Sequence, residues 1–350
     1  MTGGDTAQIK KINTNLVRRA MLAGEAWTKD TLSARTGLST ATCRKILMEM
    51  LATGEAAELS LADPKGGRPA RRFRYNRRFV LFLLVRIDNS RGAQGVTASL
   101  VDSGGETVRT VEYSARSLTL EALLATLGEL VREHPRIGSI AISYPGVVYH
   151  GKTVNWATWP ILNGLELGPE IQREFGIPVA VENDINLAAW GYASGLSCRK
   201  ADIAYIGIPE ESMPGCGLVI GGELLRGSRG FAGEVMFIEN LPREELEERL
   251  RNRPHAMAEL VWAMLRPITA LLDPQQVVIA GKIFPRRSGG IFWKNAKRCS
   301  VMSFCRIWYS GKTIWRTTRP DCWISPGGGF TPSEMKIDRE TERCRAQFLL

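Results

Sequence analysis

The stretch from Gly215 to Val235, GCGLVIGGELLRGSRGFAGEV, is the most informative segment of the chain for its fold. Seven of its twenty-one residues are glycine, and they alternate with aliphatic side chains. Residues 218–220 predict a short buried strand, and the glycines offer positive φ and bare backbone for a close approach. Two interpretations follow: a backbone cradle for a phosphate or sugar, or a glycine-rich hairpin that binds nothing. The glycines in question are Gly215, Gly217, Gly221 and Gly222.

About thirty residues earlier, residues 179–192 read VAVENDINLAAWGY, a short apolar strand that runs into three polar side chains and then a helix. Ligands of open α/β sheets lie beyond the carboxyl ends of the strands, so Glu182, Asn183 and Asp184 are predicted to face a cleft. Asp184 is the natural general base of such a site. Asn183 or Asp184 is also suited to cap the helix, and a capping residue can still bind a ligand.

These two segments resemble the ROK family, whose name stands for repressors, open reading frames and sugar kinases. Two further segments carry the same resemblance, ISYPGVV at residues 142–148 and LDPQQVVIAGKI at residues 272–283. All four occur in the family's order, and the likeness covers roughly residues 10–284. The resemblance implies an α/β chain with the actin-like ATPase (ribonuclease H-like) fold, in which two lobes surround a sugar cleft.

The same resemblance assigns residues to the cleft. Asn183, Asp184 and Glu234 are expected to hold sugar hydroxyl groups, and Gly146 lies in the cleft by its position in the family pattern. In any family member that phosphorylates its sugar, the residue at the position of Asp184 is the base. No cofactor is implied for a member that only regulates.

The chain departs from the kinases of the family at the phosphate loop. Those members carry Asp-x-Gly-Gly-Thr after the first strand, whereas residues 87–95 read IDNSRGAQG and keep only Asp88. Without the glycine amides and the threonine hydroxyl the ATP phosphates lose their cradle. Phosphoryl transfer depends almost entirely on positioning and charge stabilisation, so the sequence predicts a protein that is not an enzyme.

A second departure concerns metal. Family members have a histidine shortly after Ala-Gly-Glu and then a cysteine-rich zinc segment, but Phe237 takes the histidine position, and residues 238–253 contain no cysteine or histidine. A tetrahedral zinc site needs four such ligands, so no metal is expected, and the sugar site is expected to be weakened. The charged run at residues 243–251 instead predicts a solvated helix with pairs such as Glu245 and Arg249.

The amino-terminal residues predict a DNA-binding domain. Residues 28–36 and 39–51 form two helical patterns separated by a turn at Gly37, which is helix-turn-helix spacing. Ser39 is a good cap, and the core face would hold Cys43, Ile46, Leu47 and Met50. The opposite face would enter the major groove through Ser39, Thr40, Ala41, Thr42, Arg44 and Lys45. Helix pairs of this size also occur in bundles that bind nothing.

Charge favours the DNA-binding interpretation. Residues 1–79 hold 15 basic and 7 acidic residues, a net charge of +8, whereas residues 80–285 hold 18 and 24, a net charge of −6. Residues 65–72 read KGGRPARR and resemble the wing and linker of ROK repressors. Arg68 would enter a narrow minor groove, with Arg71 and Arg72 close by. The alternative is a charged hinge, which would still hold these arginines near the DNA backbone.

Composition sets the remaining expectations. No run of eighteen apolar residues occurs, and the amino terminus lacks a signal-peptide core, so we expect a cytoplasmic protein without a membrane partner. The seven cysteines lack C-x-x-C spacing and are expected to be reduced thiols.

The last part of the chain does not fit the family. Residues 286–350 hold four of the nine tryptophans, four of the seven cysteines and a net charge of +8 from 13 basic and 5 acidic residues. They show neither helical nor strand periodicity. A frame-shifted end is one explanation, and a basic aromatic extension that binds nucleic acid is the other.

The sequence thus predicts three parts: a winged helix-turn-helix domain with its linker at residues 1–79, an incomplete ROK sugar-binding domain at 80–285, and an atypical tail at 286–350. The predicted function is a ROK-type repressor of carbohydrate metabolism that binds double-stranded operator DNA as a homodimer or homotetramer, with a small sugar or sugar phosphate as effector. The alternatives are a sugar kinase with Asp184 as its base, and a regulator that senses no ligand.

Overall fold

The structure is a computed structural model, which describes residues 3–24, 26–59, 71–88, 94–115, 119–149, 152–154, 162, 164–196, 200–208, 213–238, 241–253, 256–281, 306–309 and 312–315. Three helices and an antiparallel hairpin form the amino-terminal unit. Its elements are α1 (Gly3–Leu22), α2 (Lys29–Thr36), α3 (Thr40–Thr53), β1 (Ala56–Leu59) and β2 (Arg72–Tyr75). Trp27 exchanges backbone hydrogen bonds of 2.8 and 2.7 Å with Phe73 and so adds a third strand position beside β2.

The turn between α2 and α3 forms as the sequence predicts. Gly37 ends α2 with a φ of 73°, a conformation that glycine adopts without strain. The Ser39 hydroxyl accepts a hydrogen bond of 3.1 Å from the Thr42 amide and caps α3. The predicted core face of α3 is confirmed, because all four of its residues are buried: Cys43, Ile46, Leu47 and Met50.

The first lobe is built on a five-stranded sheet of order β5-β4-β3-β6-β9. Strands β3, β6 and β9 are parallel, and β4 and β5 continue the sheet in antiparallel fashion. A separate hairpin, β7–β8, follows β6. The elements are β3 (Leu81–Asp88), β4 (Gln94–Asp102), β5 (Thr107–Ala115), α4 (Leu120–Glu133), β6 (Ile137–Tyr144), β7 (Val147–Tyr149), β8 (Lys152–Val154), α5 (Leu167–Phe175) and β9 (Val179–Asn183).

The second lobe has a six-stranded sheet of order β12-β11-β10-β13-β14-β15. Strands β10, β13 and β14 are parallel, and α8 packs its buried apolar face against residues of β10, β11 and β13. The elements are α6 (Asp184–Ser194), β10 (Ile203–Ile208), β11 (Gly215–Ile220), β12 (Glu223–Leu224), a 3-10 helix (Val235–Ile238), α7 (Arg243–Asn252), α8 (Ala256–Leu272), β13 (Gln276–Gly281), β14 (Arg306–Tyr309) and β15 (Lys312–Trp315).

Helix α6 joins the two lobes. It begins directly after β9 of the first sheet and packs on β10 and β11 of the second, with Ala189 and Ala193 in a common core with Ile203 and Val219. Because Asn183 and Asp184 lie where this helix starts, they are placed at the junction of the lobes.

Two features of the carboxyl-terminal half are not indicated by the sequence. The sequence shows no strand pattern after residue 285, yet Arg306–Tyr309 pairs in parallel with β13 and then with β15. Pairing supplies the hydrogen-bond partners that the edge of β13 would otherwise lack, which side-chain periodicity does not report. In α7, Arg249 reaches out of its helix and pairs with Glu259 of α8 at 2.8 Å, where the sequence favours Glu245.

The amino-terminal unit is connected to the first lobe by a short joint, residues 76–80. Asn76 donates from its backbone to the Glu55 carbonyl (2.8 Å) and from its side chain to the Gly54 carbonyl (2.9 Å). The carbonyl of the next residue, Arg77, accepts hydrogen bonds from the Ser103 amide (3.0 Å) and hydroxyl (2.7 Å) in the first lobe. Two consecutive residues thus form hydrogen bonds with different units, Asn76 with the amino-terminal unit and Arg77 with the first lobe.

Candidate functional site

The glycine-rich stretch makes its close contacts with the protein itself. A Cβ atom added at Gly217 would lie 2.6 Å from the Cβ of Ala189 and 2.7 Å from the Ile185 carbonyl oxygen. The absence of a side chain at this position therefore allows α6 to pack closely against β11. Gly221 and Gly222 form the β11–β12 turn with φ of 62° and 82°. The contacts therefore agree with the hairpin interpretation for these glycines.

The four sugar-site candidates lie at the lobe junction. Asn183 caps α6, because its side-chain oxygen accepts a hydrogen bond of 2.9 Å from the Asn186 amide. Its side-chain nitrogen donates to the Gly146 carbonyl at 3.0 Å, which ties the cap to the loop after β6. The capping and ligand-binding interpretations of Asn183 remain compatible, since the cap fixes the direction of the amide.

Asp184 and Glu234 form a pair of carboxyl groups drawn from different lobe segments. Burial raises the pKa of Asp184, although hydrogen bonds from the Ile185 amide and its own amide oppose the shift. Burial also raises the pKa of Glu234, and the negative charge of Asp184 raises it further. Two partly desolvated carboxyl groups whose charges repel each other offer several hydrogen-bond acceptors to the hydroxyl groups of a ligand. Carboxyl groups with such perturbed pKa values are enriched at functional sites.

Glu182 plays a different part from the predicted one. Its carboxylate accepts hydrogen bonds from the Asn183 amide (2.9 Å) and the Asn186 side chain (3.0 Å), and it pairs with Arg226 at 2.6 Å. These internal partners occupy the carboxylate that the sequence expects to face a ligand. The sequence offers no signal for Arg226, which lies 44 residues further along the chain in the other lobe.

An aromatic pair flanks Glu234. The rings of Phe231 and Phe237 are 4.9 Å apart, and both side chains are exposed. The Glu234 amide donates to the Phe231 carbonyl, and the Phe237 amide donates to the Glu234 carbonyl, each at 3.3 Å. An exposed apolar side chain therefore follows Glu234 by three residues, at the position where the resemblance to the family expects a histidine.

Four of the six predicted DNA-binding residues around the start of α3 line one surface, whereas Ser39 and Thr42 lie outside it. Ala41, Arg44 and Lys45 are exposed, and Thr40 lines the same open groove of about 660 Å³. Lys29, at the start of α2, and Met48 also line it, and neither was singled out from the sequence. Their positions beside the groove depend on the packing of α2 against α3, which the sequence pattern does not specify.

The hairpin β1–β2 carries the described part of the predicted wing. Strand β2 reads RFRY and alternates exposed arginine with buried aromatic side chains, so Arg72 and Arg74 share the solvent face. Arg71 is exposed and pairs with Glu58 of β1 at 3.4 Å. Arg68 lies outside the described residues, and so do residues 89–93 of the predicted phosphate-loop segment.

The sequence profile of the ROK family matches residues 89–246, which include β4 through the candidate sugar site. Over this region the chain is similar to ROK proteins. Its xylose-repressor relative from Bacillus subtilis (strain 168) is 23% identical over 240 residues, which is 66% of this chain and 61% of that protein. The glucokinase of Streptomyces coelicolor is 28% identical over 165 residues, 43% of this chain and 48% of the kinase. The chain thus spans about three fifths of the length of the repressor it matches.

The fold has solved counterparts. A crystal structure of a ROK family transcriptional regulator, a homologue of the E. coli MLC protein, aligns with a TM-score of 0.57 and 21% identity, covering 86% of this chain and 92% of that one. The predicted two-lobed actin-like fold is confirmed.

In the described ranges, no group of three or more His, Cys, Asp or Glu side chains is placed to hold a metal ion. Over the same part of the chain, every helix is too short or too polar to cross a bilayer.

Proposed function

We propose that this protein is a ROK-type transcriptional repressor of carbohydrate metabolism whose DNA affinity responds to a small sugar or sugar phosphate. The observation that carries the proposal is the outward face of α3. There Arg44 and Lys45 are exposed beside an open groove, while the opposite face of α3 is buried in the core of the amino-terminal unit. Hydrogen bonds at residues 76 and 77 connect this unit directly to the first lobe. The repressors among its relatives support the same interpretation.

In this proposal the amino-terminal unit is a winged helix-turn-helix domain that acts in the cytoplasm on double-stranded operator DNA. Helix α3 would enter the major groove, and the wing arginines would contact phosphates and the minor groove. A homodimer or homotetramer would present two such domains to paired half-sites. The proposed activity requires no cofactor or metal ion.

The effector would bind between Gly146, Asn183, Asp184 and Glu234. The carboxamide of Asn183 and the carboxyl groups of Asp184 and Glu234 would form hydrogen bonds with vicinal hydroxyl groups of the sugar. A site built for these hydroxyl groups rejects analogues that leave its polar groups unpaired. Because several curated relatives are named as xylose repressors, D-xylose is the first sugar to test. The site belongs to both lobes, so closure around a sugar would turn the first lobe and, through Asn76 and Arg77, the DNA-binding domain.

The test is a titration of the purified protein with its own upstream DNA, followed by fluorescence anisotropy at several salt concentrations with and without D-xylose and other sugars. Specific binding that one sugar weakens supports the proposal. Arg44→Ala and Lys45→Ala should each weaken binding and reduce the salt slope by about one. Arg173→Ala removes the same charge from an exposed side chain of α5 and should change neither. Binding that is equally weak for all DNA sequences would contradict the proposal.

Two other functions remain in competition. Kinase relatives and the raised pKa of Asp184, which suits a general base, favour a sugar kinase. A coupled assay of ADP release with ATP and D-xylose or D-glucose would detect that activity. A regulator that senses no ligand is favoured by Phe237 at the histidine position, and it predicts that no sugar alters DNA binding or thermal stability.

A further inference from the structure

One segment of the second lobe crosses to the first lobe beside the candidate effector site. Residues 226–233, here called the strap, leave the second sheet after β12 and lead to Glu234 and the 3-10 helix. Within the strap, the Ala232 amide donates to the Arg226 carbonyl at 3.1 Å, which closes a compact loop. The strap therefore leads directly into Glu234.

The strap contacts the first lobe at two points. Arg226 donates from Nε to the Glu182 carboxylate at 2.6 Å. At the other point, Gly230 lies so close to the Val148 carbonyl oxygen in β7 that a side chain there would overlap it. Both partners belong to first-lobe strands, so the strap spans the cleft instead of lying on one side of it.

Glu182 connects the strap to the other half of the site. One oxygen of its carboxylate accepts from the Asn183 amide and from the Asn186 side chain, and the other oxygen accepts from Arg226. Asn183 and Asn186 form the cap of α6, which positions Asp184. The Glu182 side chain is 15% exposed and that of Arg226 is 57% exposed, so solvent partly screens the pair, and the two hydrogen bonds to the other Glu182 oxygen help to fix its geometry.

We propose that Glu182 and Arg226 are positioning residues that hold the strap on the first lobe and so bring Glu234 to the Asn183–Asp184 turn. The proposal rests on the proposed sugar site for its effect on ligand binding, but not for its effect on the strap. Neither residue has to touch the ligand. The pair acts by reducing the number of arrangements that the two carboxyl groups sample before binding.

Hydrogen exchange tests the strap without any ligand. In the full chain, Arg226→Ala should speed exchange at both ends of the connection, in peptides that cover residues 182–190 and residues 228–238, by about 5- to 30-fold. Arg229→Ala is the matched control, since it removes an exposed arginine from the same strap and should leave both peptides unchanged. Unchanged exchange in Arg226→Ala, or equal acceleration in both variants, would overturn the proposal.

Calorimetry with D-xylose then tests the consequence for the effector. Arg226→Ala and Glu182→Gln should each weaken the sugar about 5- to 30-fold, and the double variant should be hardly weaker than either single one because the two residues act together. Arg226→Lys should recover part of the affinity, which a merely structural role would not require. If the wild type binds no sugar, the proposed function fails and the exchange comparison alone decides about the strap. Additive effects of the two substitutions would count against a shared contact.

Discussion

Gly233→Ala should be far more costly than Gly221→Ala, although both glycines have positive φ. Gly233 has a φ of 93° and lies against β11, where a Cβ atom would overlap the Cys216 carbonyl oxygen. Gly221 has a φ of 62° and nothing within 4 Å of the added atom. Both substitutions incur a backbone penalty, which is at least as large at Gly233 as at Gly221, and only Gly233→Ala adds a collision.

The magnitude follows from these two contributions. A left-handed conformation costs a residue with a Cβ about 1–2 kcal/mol, and the lower entropy of the unfolded alanine chain returns about 0.4–1 kcal/mol. Gly221→Ala should therefore lower the free energy of unfolding by about 1 kcal/mol. Overpacking adds about 1–3 kcal/mol at Gly233, so that variant should lose about 2–4 kcal/mol. A difference of about 2 kcal/mol corresponds to roughly 4–8 °C in the melting temperature of a domain of this size.

Urea unfolding followed by far-ultraviolet circular dichroism measures both variants against the wild type. Gly233 immediately precedes Glu234, so Gly233→Ala should also weaken sugar binding, whereas Gly221→Ala should not. Equal losses of unfolding free energy would refute the close approach of residue 233 to β11. They would also remove the reason for a glycine at that position.

Three further predictions concern single charged groups. Glu234→Gln should stabilise the protein at neutral pH. The folded-state pKa of Glu234 is raised above its ordinary 4.5, so the wild type loses stability as the pH rises from 4.5 through the folded-state pKa. The melting temperatures of the two proteins should therefore match at low pH, and the variant should melt at the higher temperature once the pH exceeds the folded-state pKa. Arg68→Ala should weaken operator binding measured by anisotropy while leaving the melting temperature unchanged, and equal binding would remove this residue from the DNA contact. Arg18→Met should lower the free energy of unfolding in urea by about 2–3 kcal/mol, because it leaves the Glu55 carboxylate, which is 5% exposed, without its paired guanidinium, and the double variant with Glu55→Gln should recover part of that loss.

Local patterns predicted the helix-turn-helix well. The turn at Gly37, the Ser39 cap and the buried face of α3 depend on residues within a few positions of each other, and the structure confirms them. The glycine-rich stretch was harder, because the spacing of its glycines indicates a close approach but not to what. Gly217 approaches Ala189 of α6, a contact set by how the lobes fold and not by the stretch itself.

The same distinction explains what was missed at the candidate site. Asn183, Asp184 and Glu234 stand in recognisable motifs, so the sequence can name them even though they come from separate segments. The pairing of Glu182 with Arg226 depends on how closely the strap packs against the first lobe. The residues next to Glu182 and Arg226 in the chain do not indicate the distance between the strap and that lobe. The role of a carboxylate in a polar run at a strand end is therefore ambiguous from sequence. The Asp184 carboxylate interacts with Glu234, whereas the Glu182 carboxylate, two residues earlier, accepts hydrogen bonds from the protein's own amides and pairs with a guanidinium. If a sugar is bound here, its affinity depends on residues that it does not touch.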